Sequence, residues 1–275
     1  MAQRAHDLAL SVVNGVRHDS RKRYLAIAVA AFTSLTIGRA AWKDYRLYRS
    51  YGPGGLPSNA FGWAVSNILR LFGIDMTDVS KAEKDADQRS WLGEDWPSKK
   101  SRDGSRPSVG PHPIPQRQLD QYGPKDVQQK FLDDFTTLGK QNPDLVTFKR
   151  SQYERHTDAA MWVVESSPVY ALRRSHTREV SHIHTNTDYS AHVVLSPRDA
   201  AKVIRAGWGQ LHALSGVSLF GKTAVPPGYV MLYSARSDDE VDVLIEIIKA
   251  GIGFMTNASV VQPSVVEDNQ NLASD

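Results

Sequence analysis

The chain has 275 residues, 41% hydrophobic and 23% charged, which suits one folded domain with appendages or two small ones, and its lack of cysteine excludes disulfides, thiolate nucleophiles and Cys-ligated zinc or iron–sulfur centres. The net charge of +3 arises at the N-terminus, where residues 1–50 hold nine Lys/Arg against three Asp/Glu while the remainder holds 24 against 27. A nucleic-acid binder carries its positive charge on the folded body, so no nucleic-acid partner is expected; basic residues flanking an apolar segment suit a membrane surface.

Between Arg23 and Arg39 lie fifteen uncharged residues, about 22 Å of helix. A bilayer core is about 30 Å thick. If Arg39 snorkels, the segment extends through Trp42, whose indole suits the interface, and residues 24–42 are expected to form a single membrane-anchor helix within a basic segment 1–50. The alternative is a buried helix of the body. After the turn-rich Tyr51-Gly-Pro-Gly-Gly-Leu-Pro, the positions of Phe61, Val65, Ile68, Leu69 and Phe72 predict an amphipathic helix, packed on the body or lying on the bilayer. Residues 96–118 are rich in Pro, Ser, Lys and Arg. Their first half reads as a solvated linker, and their second half is either linker or an arm that brings Arg106, His112 and Arg117 near a site.

The segment 119–258 carries the main domain. Gly123-Pro124 opens a helix with Val127, Phe131, Leu132, Phe135 and Leu138 on one face, and Gly139 is expected to close it. Strand candidates follow at 145–148, 161–165, 177–184 and 189–195. Ser196-Pro-Arg-Asp is an N-cap, a proline at N1 and an acid at N3, so a helix is expected over 197–206 with Gly207 as its stop. Residues 207–212 read as a glycine-flanked turn, Gly221-Lys-Thr as a loop, and 229–235 as a strand. Ser237-Asp-Asp-Glu240 is a capping box ahead of Val241, Leu244, Ile245, Ile248 and Ile252 on one helical face. The polar tail 259–275 is expected to be disordered. This order predicts an α+β fold, an antiparallel sheet with helices packed on one face.

Chemistry concentrates between Arg178 and His192, which holds three of the nine histidines together with Glu179 and Asp188. On a strand, residues two apart share a face, so His182 and His184 point one way and Glu179 and Ser181 the other. A five-residue connection, 185–189, would set His192 directly opposite His182; a four-residue one would set it opposite Ser181. Three readings stay open. His182, His184 and Asp188, with His192 or His212 in reserve, suit a divalent metal. The histidines alone suit acid–base work, tuned by Glu179. They also suit a structural hydrogen-bonded role. No Walker loop, nucleophile elbow or dinucleotide glycine fingerprint is present.

Several uncommon short motifs occur in one order: Gly104-x-Arg-Pro-Ser, Arg155-His-Thr-Asp, Arg178-Glu179, His182-x-His184, His192, Gly207-Trp-Gly-Gln-x-His212, Leu232-Tyr-x-Ala-Arg236 and Ile252-Gly-Phe-Met-Thr-Asn257. Together they resemble the fungal luciferase family from about Trp91 to Asn257, and the short basic anchor has a counterpart there. The resemblance implies an enzyme that adds O2, as co-substrate, to a 3-hydroxylated styryl-pyrone of the 3-hydroxyhispidin type, giving a peroxide that loses carbon dioxide and leaves an excited product. It implies no flavin, haem or nicotinamide cofactor. Under it, His182 or His184 acts as base with Glu179 orienting it. Arg178 holds the pyrone oxygens, Trp208 forms an apolar wall, and His192 and His212 contact substrate. Action on another polyketide and non-catalytic binding of a small molecule are the alternatives. Such a protein is expected at a membrane through its N-terminal helix, with the catalytic domain cytoplasmic.

Overall fold

In a computed structural model, described for residues 2–167, 177–219, 221–223, 225–258 and 261, the chain divides into two compact units, residues 1–50 and 51–275. The first is one helix, α1 (Ala2–Ser50), longer than the expected anchor at both ends. Its Arg21–Ser50 stretch is long and apolar enough to cross a membrane, and the large apolar side chains from Tyr24 to Trp42 are exposed, Tyr24 by 73% and Phe32 by 72%.

The second unit is α+β. Its helices are α2 (Ala60–Arg70), the single turns α3 (Ser80–Glu83) and α4 (Trp96–Lys99), α5 (Lys125–Lys140), α6 (Pro197–Arg205) and α7 (Asp238–Thr256). Strands β1 (Val146–Lys149), β2 (Ala160–Val163), β3 (Glu179–Ile183), β4 (Ala191–Val194), β5 (Gly209–Leu211) and β8 (Tyr229–Leu232) form one antiparallel sheet in the order β1-β2-β3-β4-β8-β5. Strands β6 (Ser218–Leu219) and β7 (Lys222–Thr223) make a separate hairpin across Gly221.

Local chemistry explains the helix ends. Ser196 accepts from the Asp199 amide at 3.1 Å and Ser237 from the Glu240 amide at 3.3 Å, so both caps form where the spacing predicts them. Gly207 follows α6 with φ +84°, the left-handed conformation that suits glycine after a helix. Gly139 does not close α5, which runs on to Lys140. A Cβ there would lie 2.4 Å from the Phe148 ring, so this glycine admits a close strand.

Two expectations are corrected by pairing partners. Residues 209–211 are an edge strand, because their backbone is taken up by β8. Lys222–Thr223 is a strand for the same reason, paired with β6. On α2 the buried residues are Gly62 and Ser66, while Phe61, Ile68 and Phe72 stand exposed, so most of the expected apolar face points outward. The first half of 96–118 is mostly exposed but pinned by buried Trp96 and Arg102. The second half is an arm: Gly110 and Arg117 are bonded through backbone, and His112 and Arg117 are buried. The tail beyond 258 lies outside the described residues except for Val261.

The core sits between the sheet and the long helices. Leu244, Ile248 and Ile252 of α7 are fully buried, and a Cβ on Gly251 would lie 2.5 Å from the Val193 side chain, so the helix rests on β4 with no room to spare. Val193 pairs with Ser181 and Val230. The neighbouring register, His182 with His192 and His192 with Met231, therefore faces the opposite side of the sheet. The candidate site is built there.

Candidate functional site

The β3–β4 register brings the histidines together. His182 lies directly opposite His192, and the His184 amide donates to the Ser190 carbonyl at 2.9 Å, so the connection behaves as the five-residue one. The ring centroids of His182, His184 and His192 form a near-equilateral triangle with sides of 5.2, 5.3 and 5.1 Å. His212, which follows β5, stands 5.6 Å from His192. All four line a cavity of about 300 Å³, together with Arg117, Tyr153, Glu154 and Tyr229, at the lower end of the range for small-molecule sites. A larger space of about 480 Å³ beside α3 and α6 has exposed Asp75 and Asp78 on its wall and no converging buried polar groups.

Strand alternation places Glu179 on the face away from His182. It instead accepts at 2.7 Å from His182 Nδ1. The reason is a shift of register: Ala160 pairs with His182 and Met161 with Ser181, but Trp162 pairs with Glu179, which leaves Val180 as an extra residue. Such a bulge re-aims the following side chains, and Glu179 comes round to the face that Ala160 and Trp162 share with His182. Its carboxylate is fixed further by the Ser151 hydroxyl at 2.8 Å and the Gln152 amide at 2.6 Å.

Asp188 does for His184 what Glu179 does for His182. Its Oδ1 lies 3.2 Å from His184 Nδ1 and accepts from the Ser190 hydroxyl at 2.9 Å, while its Oδ2 accepts from the Gln118 amide at 2.7 Å. Ser190 Oγ, its proton committed to Asp188, lies 2.9 Å from His184 Nδ1 and can accept from it. In both pairs Nδ1 faces the carboxylate, which turns Nε2 away from it. His212 is already committed: its Nδ1 accepts from the Leu214 amide at 3.0 Å, and its ring also bonds the Pro113 backbone. His192 stacks flat on Tyr229, with centroids 4.6 Å apart and planes within 4°.

Burial sets the protonation of this cluster. Desolvation, then the Arg117 charge and the neighbouring imidazoles, hold His184 well below the usual histidine range. His192 is lowered likewise, first by burial and then by the other histidines, and burial brings His212 down to about 4. These three rings are neutral at ordinary pH. Burial raises Asp188 and Glu154 above the usual carboxylate range, in each case against the attraction of Arg117. Glu154 forms an ion pair with Arg117, but its 3.8 Å approach to neutral His184 is proximity only. Burial pushes Tyr153 up to about 12 and Tyr229 well above the usual phenol range, so both are uncharged walls.

Four buried polar atoms on this cavity have no hydrogen-bond partner among the described residues: Gln116 Oε1, His182 Nε2, His192 Nδ1 and the Tyr229 hydroxyl. Orphaned buried groups are costly and uncommon, and four around one space are the mark of a site shaped for something polar. Arg155 on the same wall has φ +65°, a strained conformation of the kind that collects at functional sites.

The cavity does not gather every residue the sequence singles out. Arg178 donates to the carbonyls of Val164 at 2.8 Å and Ser167 at 3.1 Å, and the buried cation on the cavity wall is Arg117. Trp208 is buried in the core, its indole donating to the Lys100 carbonyl. Sequence pattern does not single out Ser151, Glu154 or Tyr229. Glu154 directly precedes the Arg155-His-Thr-Asp motif, a signal available in the sequence, whereas Tyr229 reaches the cavity only through the pairing of β8 with β4.

Comparison with known proteins finds one family. The family model described as Luciferase domain matches residues 177–251, which span β3 to most of α7. The luciferase of Neonothopanus nambi is 30% identical over 226 residues, 78% of this chain and 81% of that protein. The luciferase of Armillaria mellea is 29% identical over 245 residues, 84% of this chain and 86% of its own length. The luciferase of Armillaria ostoyae is 29% identical over 242 residues, 84% of this chain and 86% of its own length. No solved structure matches the chain.

Proposed function

The chain belongs to the fungal luciferase family, and from that premise we propose that it is an oxygen-using oxidoreductase acting on a 3-hydroxylated α-pyrone of the 3-hydroxyhispidin type. The observation that carries the reading is the floor of the cavity, where three imidazoles meet and two of them, His182 and His192, present ring nitrogens with no partner among the described residues. In the proposed reaction the enol binds against this floor and loses its hydroxyl proton to His182 Nε2, whose other nitrogen Glu179 holds. The resulting anion is electron-rich and adds O2, and the peroxide that forms loses carbon dioxide.

Other residues are assigned by position. Arg117 faces the pyrone oxygens in the place expected of Arg178, and the aromatic walls of Tyr153 and Tyr229 flank the ring. His192 and His212 bound the space on the β4 and β5 side. Burial of the floor residues His182, His184, His192 and Tyr229 keeps bulk water from them, which protects an anion and a peroxide from competing reactions. We also assign α1 to the membrane as an anchor. After the connection 51–59, the exposed Phe61, Ile68, Leu71 and Phe72 give α2 an apolar side suited to a bilayer surface. Retention in the membrane fraction after an alkaline carbonate wash is expected, and release by the wash would refute the anchor.

The reaction is tested with the full chain in detergent, by following oxygen uptake, carbon dioxide release and light with a 3-hydroxy-α-pyrone. Equal uptake and release, lost in His182→Ala, are expected. Tight binding of the pyrone with no oxygen uptake would make the protein a binding module and overturn the proposal.

A further inference from the structure

A general base needs one lone pair, and this cavity offers three. Glu179 and Asp188 each hold an Nδ1, which directs Nε2 of His182 and His184 away from them. His182 Nε2 and His192 Nδ1 are buried and unpartnered among the described residues. One ring nitrogen from each of His182, His184 and His192 lies within 4.8 Å of the others. We propose that these three histidines bind one divalent first-row transition-metal ion, with its remaining coordination positions open to the cavity. The inference deepens the proposed function and rests on it for the reaction: an enol bound to such an ion is acidified by it, the task otherwise given to His182 alone.

Three observations favour an ion over a fortuitous cluster. His182 and His184 each carry a carboxylate on the far nitrogen, the arrangement that orients and strengthens histidine ligands. Charge points the same way. Buried around the cluster are Glu179, Asp188 and Glu154 against Arg117, so that with all of them ionised two negative charges remain to be met by a dication. Geometry is close. Nitrogens bound tetrahedrally at about 2.1 Å lie about 3.4 Å apart, so from a present spacing within 4.8 Å the rings would draw in by no more than about 1.4 Å.

The ligand set differs from the one the sequence pattern offers. Asp188 is no ligand, since its oxygens are engaged by Gln118, Ser190 and His184. His212 is excluded by its two existing bonds. His192 takes the third place, and it does so only because the strand register sets it opposite His182.

The full chain, stripped with chelator and dialysed, is incubated in turn with Fe(II), Co(II) and Zn(II). One ion per chain is expected, with visible Co(II) absorption bands shifted by histidine ligation and a melting temperature several degrees higher when metal is present. His192→Ala should weaken Co(II) binding about 100-fold and Asp188→Asn about 10- to 100-fold, while melting of the parent with and without metal decides the matter even if a variant fails to fold. Substoichiometric binding of all three ions with no thermal shift would overturn the proposal and leave an ordered water as the occupant. Undiminished pyrone oxidation by metal-free enzyme would overturn the ion's role while sparing the proposed function. Stoichiometric metal without pyrone oxidation would support the site and overturn that function.

Discussion

The two faces of the central sheet are built to opposite rules. Under α7 the residues of β4 and β8 are Val193, Val230 and Leu232, all fully buried, and the helix meets them so closely that Gly251 has no space for a methyl group. One buried hydroxyl, Ser181 Oγ, lacks a partner on that side among the described residues. On the other face of β3, β4 and β8 stand His182, His192 and Tyr229, and four buried polar atoms around the cavity have no partner among the described residues. Stabilisation comes from the helix side and is partly offset on the cavity side, where polar groups are kept dry in readiness for a ligand. Substitutions on the two sides should therefore separate stability from activity.

The largest effect is expected from Phe135→Ala, which empties a fully buried position on α5 beside Phe148, 5.9 Å away between centroids. A loss of about 3–5 kcal/mol in chemical denaturation should follow, with kcat/KM of the remaining folded enzyme unchanged. His182→Ala should invert that pattern. It removes the carboxylate-held imidazole from the cavity and should lower kcat/KM about 10²- to 10⁴-fold, while stability falls far less than in Phe135→Ala. Comparable losses of stability in the two variants would mean that the cavity side also serves as core. Gly251→Ala tests the helix side with a small change. Its Cβ would meet the Val193 side chain at 2.5 Å and the Val194 carbonyl at 3.0 Å, so overpacking should cost about 1–3 kcal/mol, again without effect on KM.

What the sequence discloses depends on how local each structure is. The helices α5, α6 and α7 carry their own signals, in the period of their apolar residues and in Ser196 and Ser237 at the caps of the last two, and they form within a residue or two of expectation. Strands β1 to β4 are legible for the same reason. Strand β5 is not, because three residues beside two glycines acquire strand geometry only from β8. The arm before α5 has no period to read, and its order comes from contacts such as Arg117 with Glu154 and Asp188 with the Gln118 amide. The site divides likewise. Alternation puts His182 and His184 on one face, but the sequence leaves His192 open between a four- and a five-residue connection, and the β3–β4 register decides it. Alternation misplaces Glu179, since one extra residue at Val180 reverses its face, and Tyr229 and Arg117 enter from strands and loops remote in sequence.

Trp208 gives the finest cut between the two regions. By resemblance it belongs to a substrate wall, yet it is only 4% exposed, sits in the apolar core and uses its indole nitrogen on the Lys100 carbonyl. Trp208→Phe keeps an aromatic ring, so a wall facing substrate would survive in part, while the hydrogen bond to Lys100 would be lost outright. A stability loss of about 1 kcal/mol with unchanged KM for the pyrone is expected, which places the residue with the core. A several-fold rise in KM at unchanged stability would instead mean that the cavity opens toward β5 when substrate binds, and the division between the faces would no longer run along the sheet.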